Sequence, residues 1–169
     1  MSQQDLVRTY LPVTLPLLRA VSQARGLDAG PHRAHCVTGA LREWYTEGDL
    51  EELEFVALTQ AAHSSLRLLA EDPQAPRLRV VLAVDAPAPQ VVPVADGPRS
   101  LVKLGGPIPL SWVASIHIDE AGAEKAVLGA IDALAAADAG DDDARFLVDE
   151  AQAGDLLWYD VSELPHLLA

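Results

Sequence analysis

An α+β fold is what this sequence predicts: a single domain with a mixed β-sheet, an N-terminal βαβαβ-like unit, a central hairpin region, and helices packed on the sheet. Three observations predict it. Strand-like and helix-like segments alternate through the first half of the chain. The run Val80-Val81-Leu82-Ala83-Val84 is apolar without a break, as a strand covered on both faces requires. From Asp49 to about Ala70, apolar residues recur at steps of three and four, the period of an amphipathic helix.

The elements follow in order. Residues 7–13 read as a first strand. Thr14 then caps a helix whose first turn holds Pro16, where a missing N–H costs little. Leu17, Leu18 and Val21 give that helix an apolar face, and Gly26 ends it. After a turn, residues 32–38 form a second strand. Thr38-Gly39 closes it, and a short helix carries Leu41 to Tyr45 before Gly48-Asp49 breaks it. Asp49 and Glu52 make a capping box for the long helix. Its stripe is Leu58, Ala62, Leu66 and Leu69, extended by Leu50, Leu53 and Ala57, and Pro73 and Pro76 stop it.

Residues 77–85 form the third strand. Strand, helix, strand, helix, strand implies parallel pairing with crossovers. Pro87 and Pro89 stiffen a connector, and residues 91–94 and 100–104 could pair as a hairpin. One helical turn at 110–113 leads into a strand at 114–119. A helix at 121–137 follows, with Val127, Ile131 and Leu134 inward. Asp141-Asp142-Asp143 opens another helix, with acids where the helix dipole favours them. Residues 156–159 make a last short strand or turn, and Ser162 caps a final turn of helix. Residues 1–6 are expected to be flexible, and nothing divides 1–169 into two domains.

Composition narrows the function. With 12 basic and 25 acidic residues the formal net charge is −13. A duplex or an anionic membrane repels such a chain unless a basic patch intervenes. The only lysines are Lys103 and Lys125, and no Lys/Arg run exists. Neither nucleic acid nor membrane is therefore expected as a partner; the sign of the charge suits a basic protein. One cysteine, Cys36, excludes an internal disulfide and fits a reducing compartment. The N-terminus has no signal-peptide pattern, and no apolar stretch approaches the roughly 18 residues of a spanning helix. A soluble cytoplasmic protein is the expectation.

Several motifs bear on chemistry. His117-Ile118-Asp119 puts His and Asp on one strand face, as metal ligands or as a base and its orienter. A metal needs a third ligand and nothing nearby marks one; the plainer alternative is an ordinary strand end. His32 and His35 face opposite ways on a strand and share no metal. Cys36 reads as a buried structural thiol. Asp138, Asp141, Asp142 and Asp143 lack calcium-loop spacing, and no Gly-rich phosphate loop is present. No metal and no cofactor are expected.

Arg42, Trp44 and Tyr45 are the best candidates for contact with a ligand or partner. Arg and Trp are enriched at interface hot spots. The alternative buries Trp44 and Tyr45 as core and pairs Arg42 with Glu43 or Glu47.

Tyr10-Leu11-Pro12-Val13-Thr14, the stretch from His35 to Tyr45, Ser65 to Ala70, His117-Ile118-Asp119 and Leu157-Trp158-Tyr159 together resemble an actinobacterial family of uncharacterised proteins, a domain of unknown function. Leu41-Arg42-Glu43-Trp44-Tyr45 is the most specific part. The resemblance implies an intracellular bacterial protein. It supplies no activity and no catalytic residues.

Two functions follow. The first is a non-enzymatic protein-interaction or regulatory module. The second is a small-molecule-binding protein or enzyme with its site at the carboxyl ends of the parallel strands. There Thr14, Thr38 and Asp85 would meet and Arg42 would hold an anionic group. Whether any catalysis occurs stays open at this point.

Overall fold

The computed structural model describes residues 5–169. Seven strands form one sheet in the order β5-β6-β3-β1-β4-β8-β9: β1 (Leu6–Val13), β3 (His32–Cys36), β4 (Val80–Pro87), β5 (Val91–Pro93), β6 (Leu101–Leu104), β8 (Val113–Asp119) and β9 (Leu156–Asp160). A separate two-stranded pair joins β2 (Gly26–Leu27) to β7 (Ile108–Pro109). The helices are α1 (Leu15–Ala24), α2 (Gly39–Trp44), α3 (Leu50–Glu71), α4 (Glu124–Asp138), α5 (Asp142–Gln152) and α6 (Leu164–Leu167).

The α+β class holds, with helices packed on the sheet. The parallel pairing does not: every neighbouring pair in the sheet is antiparallel. The reason is one inserted strand. β3 and β4 both run opposite to β1, so they run the same way as each other. A β–α–β crossover through α3 demands that direction. But β1 lies between them, and each hydrogen-bonded contact becomes antiparallel. α1 makes no crossover. Arg25, in the left-handed region at φ 59°, and Gly26, at φ 147°, turn the chain into β2 instead. A Cβ on Gly26 would meet the Ile108 carbonyl oxygen at 2.5 Å, so the β2–β7 pair needs glycine there.

Local signals hold best. Thr14, Thr38, Asp49 and Asp141 each cap a helix with a side-chain oxygen. The expected hairpin forms as β5 and β6. At the C-terminus the cap is Asp160 with Glu163, a capping box, and Ser162 lies inside the turn. Of the segment expected to be flexible, residues 1–4 lie outside the described residues, and Leu6 opens β1.

The core has three parts. One sheet face carries Leu11, Cys36, Leu82, Val84, Val102 and Ile116 against Leu18 of α1, Ile108 of β7 and Leu164 of α6. On the other face Tyr10, Val81 and Ala83 meet Ala57, Ala61 and Ala62 of α3. Those small side chains let the helix lie close to the sheet. Ser65 ties it down: its hydroxyl donates to the Val13 carbonyl at 2.7 Å and accepts from Val80 N–H at 3.0 Å. The far end of α3, with Leu66 and Leu69 buried, packs against α4 and α5. Leu50, expected on the inner stripe, is exposed.

Candidate functional site

The corner between α2 and α3 gathers the residues most available for contact. Thr38 builds it. Its hydroxyl oxygen accepts from Leu41 N–H at 3.1 Å, starting α2, and its O–H donates to the Arg99 carbonyl. That bond brings the 99–100 segment against the helix, where Cys36 N–H also donates to the Ser100 carbonyl at 2.9 Å. The Arg99 guanidinium then lies 3.7 Å from the centre of the Trp44 ring, a cation–π contact.

Trp44 nevertheless stays 61% exposed and Tyr45 43%. The alternative that buried both as core is therefore set aside. Arg42 is exposed and, among the described residues, forms no ion pair. It is paired with neither Glu43 nor Glu47.

Beside this aromatic pair runs an open groove of about 430 Å³, lined by Tyr45, Gly48, Leu53, Phe55 and Val56 with Glu51 and Glu52. Its lining is almost wholly apolar. Two local features shape it. Gly48 N–H donates to the Tyr45 carbonyl at 3.2 Å, closing the turn. A Cβ on Gly48 would press on Leu53 Cδ2 at 3.3 Å, so glycine keeps the floor close. Phe55 forms part of the wall and is 62% exposed. Of the acids nearby in sequence, Glu51 and Glu52 line the groove and are exposed. The result is an apolar trough with two exposed carboxylates in its wall.

The other predicted residues lie elsewhere and are engaged. Thr14 is buried and caps α1, accepting from Leu17 N–H at 3.4 Å. It stands at the opposite end of β1 from Asp85, which faces Arg8, and from Thr38, which follows the Cys36 that faces Thr9. β3 and β4 run the same way, so Thr38 and Asp85 lie at one end of the sheet, but β1 runs against both and leaves Thr14 at the far end, so the three do not meet. Asp85 instead takes Arg8 in a two-pronged bond, 2.6 and 3.2 Å.

His117 and Asp119 share a sheet face but not a task. His117 Nε2 meets Ser115 Oγ at 3.0 Å, and burial, helped by the Arg8 charge, lowers the His117 pKa. Asp119 is buried with Arg79. It accepts from the Arg79 backbone N–H at 2.8 Å, from Nε at 2.9 Å and from Nη2 at 2.7 Å. Arg79 Nη2 also reaches the Gly154 carbonyl at 3.2 Å. Asp119 is thus committed to Arg79, which ties the start of β4 to the end of β8 and to the turn at Gly154. Among the described residues no group of three or more His, Cys, Asp or Glu is placed to hold a metal.

His35 is a second buried polar centre that sequence reasoning left unassigned. Its Nδ1 meets Ser100 Oγ and its Nε2 meets Ser64 Oγ, both at 2.8 Å. Burial, then the Arg33 and His63 charges, push its pKa down to about 4, so the ring is neutral at pH 7. Cys36 is buried and its pKa is pushed up to about 11 by burial, which keeps the thiol protonated and unreactive. Of the groove residues, the sequence marks Tyr45 as a contact candidate but not Phe55 or Val56. One signal for them was available: Phe55 falls two places from both Leu53 and Ala57, off the inward face of α3.

The chain matches the family described as "Family of unknown function (DUF6912)" over residues 7–168. No curated protein and no solved structure matches it.

Proposed function

Since the chain belongs to this family of unknown function, which brings no activity with it, we propose from the site alone that the protein is a non-enzymatic interaction module. The α2–α3 groove receives a short segment of a partner protein, with one apolar side chain in the trough and basic residues against Glu51 and Glu52. The observation that carries this is an open apolar groove walled by exposed Tyr45 and Phe55 with exposed Glu51 and Glu52 beside them. Exposed apolar surface rimmed by charge is characteristic of protein-binding sites. Trp and Tyr add rigid contact area at little entropic cost. Arg42 is left to take a carboxylate or backbone carbonyl of the bound segment. A net charge of −13 adds long-range attraction for a basic partner. The lone, buried thiol accords with a reducing, cytoplasmic setting.

Selection of peptides from a random displayed library tests this. The expected winners carry an aromatic or aliphatic residue flanked by Lys or Arg, and lose binding to Phe55→Glu and Trp44→Ala proteins. Acidic winners, or winners indifferent to both substitutions, would contradict it.

A further inference from the structure

The seven-stranded sheet ends in two edge strands that are built differently. β5 spans only Val91–Pro93, ends in a proline, and follows a short connector, Ala88–Gln90, that holds Pro89. Prolines lack the N–H that a new neighbour would bond, and short, proline-bearing edges resist pairing. β9 spans Leu156–Asp160, has no proline and no lysine, and leaves Leu157 42% and Trp158 62% exposed. Sheet proteins ordinarily avoid an apolar, unprotected edge of this kind.

The register shows which backbone groups of β9 are free. Asp119 N–H donates to the Arg79 carbonyl at 3.1 Å, so residues 115, 117 and 119 bond toward β4. Ile116 and Ile118 then bond the other way, to Tyr159 and Leu157 opposite them. In an antiparallel strand the N–H and C=O of one residue share an edge, and successive residues alternate. Leu156, Trp158 and Asp160 therefore point their backbone groups away from the sheet. Asp160 N–H is already taken by Glu163 Oε2 at 2.8 Å. Among the described residues Leu156 and Trp158 keep both groups, and Asp160 keeps its carbonyl.

From this edge we propose that two copies of the chain pair β9 to β9, antiparallel about a twofold axis at Trp158, merging two sheets into one. Trp158 exchanges both backbone bonds with its twin. Leu156 N–H finds the Asp160 carbonyl of the second copy, and the symmetry repeats it. The two indoles meet on one face, where cross-strand aromatic pairs stabilise a ladder. Charge permits the register: Asp160 stands opposite Leu156 and Asp155 opposite Val161, so no like charges oppose one another directly. Closure favours it too. Pairing β9 with β5 of another copy would grow without end, and Pro93 of β5 obstructs that route, leaving the closed twofold pair. The net charge of −13 on each copy repels at long range, so the dimer tightens as salt screens it.

Sedimentation equilibrium of the full chain, over a range of concentrations at low and physiological salt, tests the proposal. A reversible monomer–dimer equilibrium that strengthens with salt is expected. Trp158→Lys sets two charges face to face at the axis and weakens dimerisation by roughly tenfold or more. Val92→Lys on β5 leaves it unchanged. Trp158→Pro removes an outward N–H that β8 does not use, so the chain still folds, as its melting profile checks, and the dimer is lost. Hydrogen exchange at Leu156 and Trp158 slows only at concentrations where the dimer forms. A chain monomeric throughout overturns the proposal. So does a dimer indifferent to both Trp158 substitutions, one that leaves those amides exchanging freely, or growth into open filaments.

Discussion

Asp119 and Arg42 are both charged residues on a candidate motif, yet their surroundings are opposite. Around Asp119 and His35 each polar side chain is buried and bonded: the carboxylate to Arg79, the imidazole to Ser64 and Ser100. Around Arg42 the polar and aromatic groups are exposed, and Arg42 lacks an ion pair among the described residues. A buried charge must be satisfied internally or it destabilises the fold. An exposed group has no such obligation and remains free to bind. The interior polar groups are thus committed to one another, while those of the corner stay exposed.

The comparison breaks first at Asp119. Asp119→Ala leaves the Arg79 guanidinium buried without its carboxylate and should cost about 3–5 kcal/mol. Replacing both partners by leucine should cost less than the single change, because no charge is then stranded. Chemical denaturation of the three proteins checks this; a loss under about 1 kcal/mol for Asp119→Ala would make the interior pair dispensable.

Leu66 gives the apolar reference. It is fully buried between α3, α4 and α5, and Leu66→Ala should cost about 2–5 kcal/mol. An unchanged denaturation midpoint would mean that this end of α3 is not packed as described.

His35 sharpens the comparison through pH. Its folded pKa, about 4, lies below its ordinary 6.5. Between those values the unfolded chain binds more protons, so stability rises with pH. The contribution is complete above about 6.5 and is lost as pH falls toward 4, a loss of roughly 3 kcal/mol. His63 and His117, also lowered mainly by burial, act in the same direction. His35→Gln should flatten the slope of stability against pH; an unaltered slope would remove His35 from the buried network.

Arg42→Ala should be the smallest effect on stability, within about 0.5 kcal/mol, as for an ordinary surface substitution. A loss as large as that for Asp119→Ala would erase the distinction between the two regions.

What the sequence could show follows the same division between local and distant. Thr14 and Asp49 were legible as caps because each bonds an N–H only three residues away. Leu53, Leu66 and Leu69 were legible because helical phase repeats within a few turns. The place of β1 between β3 and β4 was not, since a later strand chooses its neighbour after a 22-residue helix. Arg79 and Asp119 meet across 40 residues, and Arg99 and Trp44 across 55. Nothing in either neighbourhood announces its partner. The β2–β7 pair is two residues long on each side, too short for alternation to register. At the corner, Arg42, Trp44 and Tyr45 were visible by residue type. The groove beside them needed the turn at Gly48 to fold Tyr45 toward Phe55.

The central claim is that the α2–α3 corner binds while the interior only supports. The most direct measurement is nuclear magnetic resonance of the backbone amides during titration with a basic, apolar-anchored peptide from the selection. Shifts should gather at residues 42–56 and around Arg99, with affinity falling about tenfold or more in Arg42→Ala protein that melts like the wild type. Shifts centred on His117 and Asp119, or an affinity untouched by Arg42→Ala, would contradict the account.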